Sequence, residues 1–269
     1  MKLKLSILVF VFGIVISGNG QIKFELVSEF STSTKDFTTD HLNKIYLIDN
    51  NEIFKLNYAG DTLYTYSNKT LGNITCLDVN NTLRPILFFK ENARIVVTDN
   101  TLSAQQNSYS LEDLDLYQAQ LIATSLVDNG IWIYDQELFQ LIKVNKGFER
   151  IYESGNLEQI LQKDSLSPSQ ILEHKDNVYM VCPKQGILVF DIYGSYIKTV
   201  PVLNVDEIQI ENKIIYYQKE GNYYGYGLID FEEVKIQLPF NYFEKIRLEK
   251  DRLIVLSKNK IAIYSIGNK

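Results

Sequence analysis

Short runs of Ile, Val, Leu, Tyr and Phe recur along the chain, each closed by a polar turn. Such runs predict β-strands, because branched and aromatic side chains pack well on a pleated, half-buried surface. One unit repeats: a β-rich run, a short polar turn, a second β-rich run, then Asp or Asn opening another turn. Its copies are Ile45-Tyr-Leu-Ile-Asp with Ile53-Phe-Lys-Leu-Asn, Ile86-Leu-Phe-Phe with Arg94-Ile-Val-Val-Thr-Asp, and Ile131-Trp-Ile-Tyr-Asp with Leu138-Phe-Gln-Leu-Ile-Lys-Val-Asn. Three more follow: Val178-Tyr-Met-Val-Cys with Ile187-Leu-Val-Phe-Asp, Ile214-Ile-Tyr-Tyr with Gly225-Tyr-Gly-Leu-Ile-Asp, and Leu253-Ile-Val-Leu with Lys260-Ile-Ala-Ile-Tyr. In the fifth copy the intervening turn is expected to run from Gln218 to Tyr224.

The first runs of successive copies start 41, 45, 47, 36 and 39 residues apart. Another β run precedes each of copies two to six, for example Thr75-Cys-Leu-Asp-Val and Glu207-Ile-Gln-Ile-Glu. Four strands in roughly 41 residues is the size of a propeller blade. The expected fold is therefore all-β, a six-bladed β-propeller with about four strands per blade, occupying residues 21–269 as a single domain. The sixth copy stops at its third strand near Ile266, while Ile22-Lys-Phe-Glu-Leu-Val-Ser-Glu-Phe stands alone at the other end. An N-terminal strand that completes the last blade would cover its open edge. The Asx residues ending the second runs, Asn57, Asp99, Asn145, Asp191 and Asp230, suit turns because their side chains bond the following backbone. Leu111 to Ala119 could form a short helix or turn, and Leu157, Ile160 and Leu161 have helical spacing. Both segments lie between blades.

The N-terminus has a different pattern. Lys2 and Lys4 precede a 12-residue run, Leu5 to Ile16, that is apolar except for Ser6, followed by Ser-Gly-Asn-Gly and Gln21. That order is a secretory signal peptide over residues 1–20. The run is shorter than the roughly 20 residues of a spanning helix, so no transmembrane span is expected after processing. No Cys follows the small residues, which excludes lipoprotein processing. Loss of the leader leaves 25 of the 27 basic residues against 33 acidic ones, moving the net charge from −6 to −8. A chain this acidic is not a general nucleic-acid binder, which needs Lys and Arg to neutralise phosphates. An exported location, periplasmic or at the outer membrane, would permit a disulfide between Cys76 and Cys182. Both sit in strand-like contexts, where a Cys more often acts as a small buried apolar residue.

The repeat resembles six-bladed propellers of the NHL-repeat and YncE-like type, carried best by Ile45-Tyr-Leu-Ile-Asp through Gly60-Asp and by Val178-Tyr through Gly194-Ser-Tyr-Ile. The leader and the richness in Asn, Lys, Ile and Tyr resemble exported proteins of Bacteroidota. Asp61-Thr-Leu and Asp164-Ser-Leu resemble the O-glycosylation acceptor motif of such proteins. The lack of catalytic motifs and the degenerate, ring-closing repeat point to a binding or scaffold protein within an envelope protein complex, with a polar or glycan ligand as a further candidate. The alternative left open is an enzyme acting on a glycan or lactone-type substrate, an analogy from fold alone.

No nucleophile elbow, P-loop, dinucleotide fingerprint or HExxH motif occurs, and no cofactor is expected. Two histidines, His41 and His174, are too few for a His cage without carboxylate help. Asp40, Asp78, Asp128, Glu173, Glu211 and Glu249 fall near the ends of the candidate inner strands, one per blade. They either ring the channel to bind a cation or polar ligand, or terminate strands and face solvent. Tyr223-Tyr-Gly-Tyr-Gly is either a binding loop or an aromatic strand with Gly at a bulge. The turns between the two middle strands are expected on one face, carrying Lys90, Arg94, Lys184, Lys219, Lys258 and Lys260. That face could dock a partner of complementary charge, or simply be solvated.

Overall fold

The computed structural model describes residues 23–106, 108–163 and 165–267. The expected leader lies outside the described residues, as does Asp164 of the second acceptor motif. The architecture is all-β: six four-stranded antiparallel sheets in a propeller arrangement. An N-terminal strand, β1 (Lys23–Ser31), comes first. Blade 1 holds β2 (Asp36–Asp40), β3 (Lys44–Asp49), β4 (Glu52–Leu56) and β5 (Thr62–Ser67). Blade 2 holds β6 (Cys76–Asp78), β7 (Ile86–Phe89), β8 (Arg94–Val97) and β9 (Tyr109–Ser110). Blade 3 holds β10 (Ala119–Thr124), β11 (Ile131–Asp135), β12 (Gln140–Val144) and β13 (Arg150–Glu153). Blade 4 holds β14 (Gln170–His174), β15 (Asn177–Cys182), β16 (Gly186–Asp191) and β17 (Tyr196–Val200). Blade 5 holds β18 (Ile208–Glu211), β19 (Ile214–Lys219), β20 (Asn222–Gly227) and β21 (Glu233–Ile236). Blade 6 holds β22 (Lys245–Glu249), β23 (Arg252–Ser257) and β24 (Lys260–Gly267).

β1 supplies the fourth strand of blade 6, antiparallel to β24 from Lys23↔Gly267 to Ser31↔Lys260. The first and last described strands thus close the ring. A bulge between Leu26 and Ser28 interrupts the register and leaves Leu26 and Val27 exposed.

Burial explains why the middle strands read as unbroken apolar runs rather than alternating ones. β7 and β11 are buried at every position, because neighbouring blades cover both faces. The outermost strand β13 is exposed throughout and correspondingly polar or amphipathic. The core is divided into six apolar clusters, one per blade junction. Phe37, Ile45 and Leu56 of blade 1, for example, meet Ile254, Leu256 and Ile261 of blade 6.

The Asx residues act as their positions suggest. Asp191 Oδ1 accepts the Tyr193 and Ser195 N–H groups at 2.9 and 2.8 Å. Asn57, Asp99 and Asn145 accept from the residues two and four ahead in the same way. The segment from Leu111 holds a 3-10 turn (Glu112–Leu114), and the other forms the short helix α1 (Leu157–Leu161), capped by Asn156.

Blade 5 departs from expectation. Its middle turn is only Glu220-Gly221, and the aromatic run from Tyr223 belongs to β20, pairing without a bulge as Tyr217↔Tyr224 and Gln218↔Tyr223. Both turn residues have positive φ, so a tight hairpin replaces the expected long turn.

Candidate functional site: the central channel

The first strand of each blade is its innermost, and these strands surround a channel of about 570 Å³. Asp36, Glu207 and Lys245 mark the mouth at the inner strands' N-terminal ends. Asp40, His41, His174, Glu211 and Glu249 mark the mouth at their C-terminal ends. Five of the six singled-out acids therefore line the channel, and most have mechanical duties.

Asp40 accepts the Leu42 and Lys44 N–H groups at 2.9 and 3.0 Å and the Tyr46 hydroxyl at 2.8 Å, shaping the first hairpin. Asp78 accepts Asn80 N–H at 2.7 Å and, across the junction, Thr124 N–H at 2.8 Å. Burial pushes its carboxyl above the usual range despite these bonds. Glu173, 2 % exposed, reaches from blade 4 to blade 3 and accepts Leu126 N–H and Trp132 Nε1–H, each at 2.7 Å. Glu249 accepts the Thr39 hydroxyl at 2.6 Å, tying blade 6 to blade 1. Glu211 is exposed at the channel mouth.

Asp128 stands apart. It lies in the turn after β10 rather than on the channel wall, and pairs with the buried Lys143 at 3.0 Å. Burial opposes its ionisation, but Lys143 and the Gly130 N–H outweigh that and hold its carboxyl below the usual range.

The strongest electrostatic feature of the channel involves residues that sequence reasoning passed over. Lys245 Nζ lies 2.7 Å from Asp36 and 2.8 Å from Glu207. Arg247 Nη1 lies 2.7 Å from the other Glu207 oxygen, and its Nε donates to Thr39 at 3.3 Å. This network joins blades 5, 6 and 1. Burial would raise the Glu207 carboxyl, yet Lys245 and Arg247 hold it below the usual range. Burial likewise works against the Lys245 ammonium, which Glu207 and Asp36 nonetheless stabilise.

Two glutamines act alongside the network. Gln170 bonds the Ile208 backbone through both amide atoms at 2.7 and 3.2 Å, and Gln209 does the same to Leu248 at 2.8 and 3.0 Å. An innermost strand has no ladder partner on its channel side, so side-chain amides satisfy its free backbone groups.

The two histidines occupy the same mouth from blades 1 and 4. Burial lowers His174 below its usual range, and its enclosed Nε2 has no partner. Cys76 and Cys182 are free thiols, and burial pushes each up to about 12. No group of three or more His, Cys, Asp or Glu side chains suited to a metal occurs among the described residues.

The six basic residues Lys90, Arg94, Lys184, Lys219, Lys258 and Lys260 sit at the turns between second and third strands. The shared up-and-down order brings those turns to one face. It brings the connections between blades to that face too, with Glu112, Asp113, Glu158, Asp206 and Glu244. Lys260 is paired with Glu29 at 3.0 Å, and the Lys258 N–H donates to Glu244. Bases and acids are therefore interleaved there. The first-hairpin loops on the opposite face divide differently. Blades 1 to 3 expose Leu42, Leu83, Leu126 and Val127, whereas blades 4 to 6 expose Lys175-Asp176, Asn212-Lys213 and Lys250-Asp251. Each Leu looks incidental in its own turn, and only the ring gathers them.

No protein-family model and no curated protein sequence matches the chain. Solved structures match in shape. A streptogramin B lyase is 14% identical with a TM-score of 0.64, over 91% of this chain and 98% of that one. A catalytically inactive virginiamycin B lyase from Staphylococcus aureus, solved with quinupristin, is 12% identical with a TM-score of 0.62, over 91% and 99%. A protein of unknown function from Bacteroides thetaiotaomicron is 11% identical with a TM-score of 0.65, over 91% and 76%. Likeness at such identity extends to the fold alone.

Proposed function

We propose that this chain is an exported, NHL-like β-propeller that binds partners without catalysis, as a scaffold in the periplasm or at the outer membrane. The observation that carries the reading is how the channel carboxylates are used. Asp40, Asp78 and Glu173 accept backbone and side-chain hydrogen bonds that hold hairpins and neighbouring blades together. Glu207 is occupied by two cations. A general acid–base pair needs carboxyls free to exchange protons with a substrate, with environments that drive their acidities apart. The exposed Leu42, Leu83, Leu126 and Val127 around one mouth add support, since grouped apolar residues on a surface mark protein-binding sites. The residues 1–20 pattern supports export.

The test is cross-linked capture on tagged mature protein from envelope membranes, with reciprocal tagging of whatever is recovered. The expected result is one stoichiometric membrane partner, lost from Leu83→Ser/Leu126→Ser or from Lys184→Glu/Lys219→Glu with the fold intact by circular dichroism. The first pair assigns the apolar mouth and the second the opposite face. Recovery of no reciprocal partner would overturn the reading.

A second reading, an enzyme acting on a lactone-type substrate, has one observation in its favour. His174 Nε2 is enclosed at the channel mouth without a partner, a state a substrate could relieve. Turnover of a lactone panel that disappears in His174→Ala would establish it.

A further inference from the structure

A second cavity, of about 340 Å³, opens beside the channel between blades 5 and 6. Its walls include Glu207, Tyr216, Lys219, Tyr223, Glu244 and Lys245. Its volume lies within the usual range for small-molecule sites. Three features give it a chemical character. The first is Tyr223, only 3 % exposed, whose hydroxyl is enclosed and has no hydrogen-bond partner. A buried, unpaired hydroxyl is costly, and a native structure that keeps one calls for a water or a ligand to satisfy it. The second is an aromatic wall. Tyr216 is half-buried, and its ring stacks at 6.1 Å and 16° on that of Tyr223. The third is mixed charge, with Asp206, Glu207, Glu220 and Glu244 against Lys219 and Lys245. Lys245 is already paired with Glu207 and Asp36, and Glu244 accepts the Lys258 N–H. The walls thus offer donors and acceptors, and their excess of carboxylates works against an anionic ligand.

We propose that this side cavity is a sugar-binding site that takes the terminal ring of an uncharged glycan. A sugar ring has an apolar C–H face, which fits against Tyr216, and hydroxyls that both donate and accept. One such hydroxyl meets Tyr223 Oη, which can also do both. Its neighbours are met by the carboxylate of Glu207 and the ammonium of Lys245. Lys219 borders both this cavity and the candidate docking face, but Tyr216 and Tyr223 belong to the cavity and not to that face, so Tyr223→Phe can weaken sugar binding and keep an envelope partner.

The experiment titrates glucose, galactose, mannose, N-acetylglucosamine, maltose, lactose, cellobiose and chitobiose into the mature protein, read by saturation-transfer difference NMR. Tyr223→Phe is near-isosteric and removes only the hydroxyl. The expected result is saturable transfer from at least one sugar, weakened about 3- to 10-fold by Tyr223→Phe, the worth of one net hydrogen bond. Tyr216→Leu should remove the transfer altogether. Because the hydroxyl has no partner within the protein, Tyr223→Phe should melt no lower than the parent when sugar is absent. Three results would each overturn the proposal: no saturable transfer from any sugar, transfer unchanged in Tyr223→Phe, or a clear fall in the melting temperature of sugar-free Tyr223→Phe. The last would mean that a trapped water ties the hydroxyl into the fold.

Discussion

At the scale of single residues, carboxylates in this protein mostly organise backbone. Glu173 shows the logic most clearly, because one buried side chain holds Trp132 Nε1–H and the Leu126 N–H of the next blade. Glu173→Gln keeps the size but turns one acceptor into a donor facing a donor. It should cost about 2 kcal/mol in urea unfolding. Trp132 is the only tryptophan, so its emission should shift in the folded variant and report the broken bond directly. Asp78 makes a different prediction. Burial raises its folded carboxyl above the unfolded value, so the folded state binds more protons over the interval between the two. Stability should therefore decline as pH rises through that interval. Asp78→Asn should remove this part of the decline, seen as a flatter curve of melting temperature as pH rises above the ordinary carboxylate range.

At the scale of elements, position in the blade decides what a strand must be. Middle strands such as β7 are sandwiched between blades and carry apolar side chains on both faces. Outer strands such as β13 need only pair on one side. β1 is the exception that ties the ends together, since its ladder to β24 is the longest in the molecule's described residues. Deleting residues 21–31 should uncover the β24 edge and leave Ile261 and Ile263 less covered. The variant should lose solubility sharply and melt earlier. A cooperative melt at an unchanged temperature would show that blade 6 does not depend on this strand. Gly186 makes a sharper test of one hairpin. Its φ is +107°, and a Cβ there would meet Val200 O at 2.5 Å. Gly186→Ala should thus cost about 2 kcal/mol or more by thermal unfolding, from backbone strain and the clash together.

At the scale of the whole molecule, no backbone ladder crosses from one blade to the next among the described residues. The ring is held by the six apolar clusters and by side chains reaching across the inner strands. Around blades 5, 6 and 1 those side chains are charged. Glu207 sits below its usual range because Lys245 and Arg247 outweigh its burial. Its contribution is therefore present above the ordinary carboxylate range and is lost as pH falls through it. Glu207 is 38 % exposed to channel water, so the pairing is partly screened. Glu207→Gln should lower stability by about 0.5–1 kcal/mol at neutral pH, less at high salt, and should flatten the acid limb of the stability profile. Melting temperatures across pH and salt, compared with the parent, check both effects.

The strand runs, their spacing of about 41 residues, the Asx turns and the N-terminal closure were all present in the sequence, because each depends on contacts within one blade or on counting strands. Tyr223 also announced itself by composition, although its place in β20 depended on a two-residue turn at Glu220-Gly221. The candidate site was legible only as residue types. Asp40, Asp78 and Glu173 were visible as acids at inner-strand ends, but not as hydrogen-bond acceptors already in use. Asp36, Glu207, Lys245 and Arg247 carried no local signal at all. Asp36 and Lys245 are 209 residues apart in the chain and 2.7 Å apart in space. Ring closure converts separation along the chain into contact across a junction. A blade's sequence therefore encodes its strands, while the partners of its inner-strand side chains belong to neighbouring blades and exist only once the ring has formed.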